Sequence, residues 1–152
     1  MRLCNALAAS RIVLELSAAD KTGALQQLLT VAGLALGLTD TDPLLQRVLD
    51  REAICSTGVN RGVAIPHARS PEIDGVVASL GIHRAGVDFG SPDGQPVNLI
   101  FLVLSSEIAT PAYLSVLGRT ARIFHQQDMR QQMLAAESPE DVIRAIAEQE
   151  PA

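Results

Sequence analysis

A chain of 152 residues with 47% hydrophobic and 19% charged content has room for one sizeable core, so a single domain over 1–152 is expected rather than disorder. A net charge of −5 without any Lys/Arg block argues against nucleic-acid partners, and 3% aromatics remove the stacking platforms of a single-strand binder. The most apolar long stretch, 28–38, is interrupted by Thr30, Gly33 and Gly37 and is too short for a bilayer; the N-terminus has no leader-like pattern, so the expectation is no membrane insertion and a cytoplasmic protein.

Loose alternation over 11–16 predicts a first strand. Asp20 reads as the cap of a helix with Leu25, Leu28, Leu29 and Ala32 on one face and Gly37 as its stop. Asp42-Pro43 reads as the next helix start, with Asp42 capping and Pro43 in the first turn; Leu44, Leu45, Val48 and Leu49 form its stripe. Arg51 and Glu52 fall in its last turns, where a cation suits the helix dipole. Residues 59–65 predict a strand interrupted by Asn60-Arg61-Gly62, and 76–82 a clearer one. Pro92-Asp93-Gly94 marks a turn. The segment 98–104, apolar without a break from Leu99 to Leu104, predicts a strand buried on both faces. Thr110-Pro111 reads as a further cap-plus-proline start, with Leu114, Leu117, Ala121 and Phe124 as the apolar face. A short helix is predicted from Asp128 to Leu134. The last follows the Ser138-Pro139-Glu140-Asp141 capping box and buries Val142, Ile143, Ile146 and Ala147. Helices before and after buried strands imply an α/β sandwich with a central sheet.

The chemistry concentrates in residues 56–69, STGVNRGVAIPHAR. His67 follows the apolar run Val63-Ala64-Ile65, just beyond a glycine-bounded loop; Arg61 and Arg69 flank it and Arg51 lies upstream. Histidine accepts and releases phosphoryl groups near neutral pH, one ring nitrogen attacking while the other is held by a hydrogen bond. Arginines offer forked donors to phosphate oxygens. Pro66 restricts the backbone beside His67, and Gly58 and Gly62 allow close approach of backbone amides. Ser56 and Thr57 carry hydroxyl donors, although loop hydroxyls more often stabilise turns. Cys4 and Cys55 are not spaced as metal ligands and read as free thiols; His83 and His125 read as structural. Neither a metal nor a cofactor is expected.

The motif closely resembles the active-site signature of enzyme IIA of the bacterial phosphotransferase system, the fructose/mannitol/nitrogen type (type-2 IIA). The likeness extends in order through Arg51-Glu52, Val87-Asp88-Phe89, Asp93-Gly94-Gln95-Pro96-Val97, the run 99–104, Tyr113-Leu114-Ser115-Val116-Leu117 and the segment 138–141. The resemblance implies a mixed sheet flanked by helices on both faces. It implies that His67 takes a phosphoryl group on Nε2 from a phosphorylated histidine-phosphocarrier protein. Sugar-type relatives pass it to a cysteine of a IIB component, whereas nitrogen-type relatives act on a regulatory target. Arg51 stands where that family has an arginine and is the best candidate for a phosphate clamp; Arg61 and Arg69 are candidates for phosphate or partner binding, with Ser56 and Thr57. One departure stands out. The family's second active-site histidine is replaced by Tyr113, which keeps a donor but no positive charge near neutral pH. This favours a regulatory member. Two other readings stay open at this stage: a binding module that is never phosphorylated, and a His-dependent hydrolase, for which no nucleophilic Ser or Cys motif is visible.

Overall fold

The apolar run near residue 100 is the middle strand of a sheet. In the computed structural model, which describes residues 1–150, the order is α1 (Leu3–Ala6), a 3-10 turn (Ala9–Arg11), β1 (Ile12–Val13), α2 (Lys21–Leu36), α3 (Asp42–Ile54), β2 (Val63–Ala64), β3 (His67–Arg69), β4 (Val76–Val87), β5 (Val97–Ser105), α4 (Thr110–Phe124), α5 (Gln127–Ala135) and α6 (Pro139–Glu148). β4 pairs antiparallel with β5 and parallel with β1. The other edge of β5 carries β2 and then β3, both parallel. The sheet is therefore mixed, in the order β1-β4-β5-β2 with β3 beside β2 on β5.

Alternation along β5 divides the core in two. Leu99, Phe101 and Val103 join Leu3, Val116, Met129 and Ile146 on the side of α1, α4, α5 and α6. Ile100, Leu102 and Leu104 join Leu25, Leu28, Leu44 and Val48 on the side of α2 and α3. Both faces are covered, which is why the strand reads as one unbroken apolar run. The architecture is the expected α/β sandwich.

Local signals hold at several ends. Asp20 accepts from the Gly23 N–H at 2.8 Å, α2 stops at Gly37 in the left-handed region (φ 73°), and Ser138 accepts from the Asp141 N–H at 3.2 Å. Others need correction. The first strand is only Ile12–Val13; the chain then bends and returns at Leu16, whose N–H reaches Ile82 O at 2.9 Å. Leu16 packs onto Gly81, where a Cβ would lie 2.4 Å from its Cδ1. Asp42 is inside α3 rather than its cap: Asp40 accepts the Asp42 N–H at 3.0 Å, an Asx turn that moves the start upstream. Thr110 is likewise the first residue of α4, and its hydroxyl accepts from Arg69 instead of capping.

The face of α4 is also rotated. Tyr113, Val116, Thr120, Ile123 and Phe124 are buried, while Leu114 is 62% exposed. Thr120 tolerates burial because its hydroxyl donates to Val116 O at 2.7 Å. In the segment 59–65 only Val63–Ala64 is strand, because Asn60, Arg61 and Gly62 have φ of 81°, 59° and 83° and fold it back on itself. A bridge joins Gly58 to Ala64 across that loop.

Candidate active site

His67 lies in β3, opposite Val103 of β5, not in a loop. Pro66 separates β2 from β3, while its carbonyl still accepts from the Val103 N–H at 3.0 Å. That break turns the imidazole back on the chain: His67 Nδ1 is 2.8 Å from Ile65 O. A carbonyl only accepts, so Nδ1 carries the hydrogen and the Nε2 lone pair is free. The ring is half-buried, and burial lowers its pKa below the ordinary histidine value. The Ile65 hydrogen bond opposes that shift, the Arg51 charge adds to it, and Glu52 opposes it. The ring is held neutral, with its nucleophilic nitrogen available.

Around it is a cavity of about 380 Å3 lined by Arg47, Asp50, Arg51, His67, Arg69 and Tyr113, with Ala68 behind. Arg51 reaches it from the last turn of α3, where Nη1 also donates to Cys55 O at 2.9 Å and satisfies an end carbonyl. Arg69 shares the face of β3 with His67 through the two-residue period. Its guanidinium stacks 5.0 Å from the centre of the Tyr113 ring and donates to the Thr110 hydroxyl, while its Nε is buried without a partner. Tyr113 meets the His67 ring edge-on, centroids 5.9 Å apart at 65°. Burial raises the Tyr113 pKa against the pull of Arg69 and Arg51, so the phenol keeps its proton and remains a donor. Three guanidiniums, those of Arg47, Arg51 and Arg69, and a phenol thus share the cavity with an unprotonated ring nitrogen. The arrangement suits attack on an anionic, phosphate-like centre.

The remaining predicted residues lie outside this cavity. The Ser56 hydroxyl donates to Phe89 O at 2.7 Å and accepts from the Gly58 N–H at 3.0 Å. Both contacts hold the loop. The Thr57 hydroxyl donates to Glu52, and its N–H reaches both Glu52 oxygens at 3.2 Å. Arg61 lines a different cavity, near the C-terminal end of α4. Any other residue at 58 would force Ser91 or the loop to shift, since a Cβ there would fall 2.2 Å from Ser91 Oγ and 2.9 Å from its Cβ.

Sequence reasoning missed what anchors the loop. Glu52 is buried and pairs with Lys21 at 2.5 Å; Lys21 also donates to Phe89 O at 3.2 Å and lies 4.9 Å from the Phe89 ring centre. The available signal was the adjacency of Glu52 to Arg51: neighbours on a helix point different ways, so one can enter the cavity while the other is buried. Arg47, which donates to Arg69 O at 3.0 Å, and Asp50 were also missed; they are one helical turn and one residue from Arg51. His83 is buried and committed, its Nε2 2.6 Å from Ala18 O and its Nδ1 accepting from the Gly86 N–H at 3.0 Å. His125 is the C-cap of α4.

Known proteins resemble this chain in sequence and fold. The chain is 32% identical over 146 residues to the "PTS system fructose-specific EIIABC component" of Bacillus subtilis, spanning 96% of this chain but 23% of that longer protein. It is 31% identical over 147 residues to a "Nitrogen regulatory protein" of Bradyrhizobium diazoefficiens, spanning 97% of this chain and 95% of that one. The crystal structure of nitrogen regulatory protein IIA-Ntr from Neisseria meningitidis superposes with a TM-score of 0.88 at 30% identity, covering 95% of this chain and 98% of that one. The family model for the phosphoenolpyruvate-dependent sugar phosphotransferase system, EIIA 2, matches residues 5–149, and the chain belongs to that family.

Proposed function

We propose that His67 accepts a phosphoryl group on Nε2 from the phosphohistidine of a histidine-phosphocarrier protein, and that the chain acts as a IIA domain of the nitrogen-regulatory type. The observation that carries this reading is the Ile65 carbonyl on Nδ1, which leaves Nε2 as the nucleophile. In the transfer, the Nε2 lone pair forms a bond to phosphorus as the donor's N–P bond breaks. The donor ring, protonated on its other nitrogen, leaves as a neutral imidazole. The His67 ring becomes cationic, and Ile65 O stabilises its Nδ1–H. Arg51 and Arg69 balance the phosphoryl oxygens, and Tyr113 donates a neutral hydrogen bond.

The regulatory role is favoured by Tyr113, which gives less charge stabilisation than a second imidazolium would, and by the likeness to nitrogen regulatory proteins along nearly their full length. Such a chain would work in the cytoplasm as one domain over 1–152, handing its state to a regulatory target. Among the described residues, no helix is long and apolar enough to cross a membrane. The fructose-specific relative supports a second reading, in which the phosphoryl group moves on to a IIB cysteine.

Incubation with phosphorylated phosphocarrier and intact-mass measurement tests the proposal. One acid-labile, alkali-stable phosphoryl group should appear and should vanish in His67→Ala while the fold persists. No uptake by the wild-type chain would leave a binding module that is never phosphorylated, and labelling of the His67→Ala variant would move the acceptor elsewhere.

A further inference from the structure

The loop 58–64 meets the C-terminal end of α4 at a second cavity of about 470 Å3, lined by Arg61, Arg122, His125 and Arg130, with Val59 as its exposed apolar contact. A smaller cavity of about 210 Å3 shares Arg61 and Arg130 and continues toward Asn98 and Gln127. Arg122 lies nine positions along α4 from Tyr113, roughly 14 Å at the helical rise, so this cleft is separate from the His67 cavity.

Three features set it apart. Three arginines converge in a chain whose net charge is −5, and among the described residues none of them has a carboxylate within 4 Å. Asp93 approaches Arg61, but it accepts the backbone N–H at 2.8 Å and leaves the guanidinium free. Arg61 is held in the left-handed region at φ 59°, where a non-glycine residue is strained, although no described protein group uses its side chain. Arg130 is anchored by Nη1, which donates to Phe124 O at 3.0 Å and His125 O at 2.7 Å. It thereby covers the negative end of α4 and turns a region hostile to anions into a cationic wall.

We infer that this cleft is a second anion site, which takes a small phosphate-bearing metabolite of sugar-phosphate or mononucleotide size. Forked guanidiniums match phosphate oxygens, the volume falls within the ordinary range of small-molecule sites, and the half-exposed Val59 side chain offers apolar contact to the ligand's organic part.

The test is residue-resolved NMR of the full chain titrated with ribose 5-phosphate and, separately, inorganic phosphate at physiological ionic strength. Ribose 5-phosphate should give saturable shifts at the backbone amides of 60–62 and 121–126, and should bind more tightly than inorganic phosphate. Arg61→Asn keeps a residue tolerant of the left-handed backbone, and Arg122→Gln removes an exposed charge. Each should weaken binding about tenfold or more while thermal unfolding shows an intact fold. The inference is overturned by shifts confined to 67–69 and 113, by titrations that never saturate, or by variants that bind like the wild type. Equal affinity for inorganic phosphate would overturn the metabolite as ligand.

Discussion

In the proposed transfer the two ring nitrogens of His67 have different tasks, and the Arg51 charge would act on both the ring and its phosphorylated form. The folded ring has a depressed pKa, so the unfolded chain binds the proton first as pH falls below about 6.5. The resulting stability is fully present above that value and is lost as pH falls toward the folded midpoint. Arg51→Ala should raise the His67 midpoint, read by ring NMR titration, because a like charge leaves. The same variant should slow phosphoryl transfer roughly ten- to a hundredfold, the equivalent of about 1.5–3 kcal/mol for a lost charge-assisted hydrogen bond. Arg51→Lys should fall between, keeping charge without the fork. A wild-type midpoint and rate in Arg51→Ala would reduce Arg51 to a cap on Cys55 O. Tyr113→His should shift the transfer equilibrium with the phosphocarrier toward the phosphorylated chain, since an imidazolium at 5.9 Å adds positive charge where the phenol has none. An unchanged equilibrium would show that the residue at 113 does not sense the phosphoryl group.

The buried stripe of α4 runs through Tyr113 and Thr120, two residues that a hydropathy pattern places outside. The leucine-based pattern is therefore about 100° away from the face that packs. This rotation is what brings Tyr113 to His67, because the face that enters the core also meets β3. Ile123→Ala should cost about 2–5 kcal/mol as a core cavity, whereas Leu114→Ala, 62% exposed, should stay within about 0.5 kcal/mol. Urea unfolding of the two variants measures the difference; equal costs would mean that Leu114 faces the core. The Lys21–Glu52–Thr57 chain is the other element-level device, tying the start of α2 and the end of α3 to the loop that leads into β2.

Across the whole molecule, the two chain ends are joined by one carboxylate. Glu150 accepts the Leu3 and Cys4 N–H groups at 2.8 and 2.9 Å and pairs with Arg119 at 3.3 Å. Burial acts to raise its pKa, but the two N–H donors and Arg119 outweigh it and hold the carboxylate below its ordinary value. Its contribution is present above the usual glutamate range and is lost as pH falls through the folded value. Glu150→Ala should lower the melting temperature by about 2–4 °C per kcal/mol lost, and should flatten the acid limb of stability against pH. An unchanged acid limb would show that the clasp adds nothing.

Much of this architecture was legible in the residues alone. Asp20, Gly37 and Ser138 act within a few positions of themselves, so caps and stops read directly. The run near 100 announced a strand covered on both sides, and the residues around His67 suggested the phosphate chemistry proposed above. What the sequence could not determine depended on partners distant in the chain. Asp40 displaced Asp42 as the group satisfying the start of α3, Arg69 drew Thr110 away from capping, and Glu52 and Phe89 drew Thr57 and Ser56 away from the cavity. A hydroxyl or guanidinium has several acceptable partners of similar strength, and only the packed sheet and helices decide which one comes within reach.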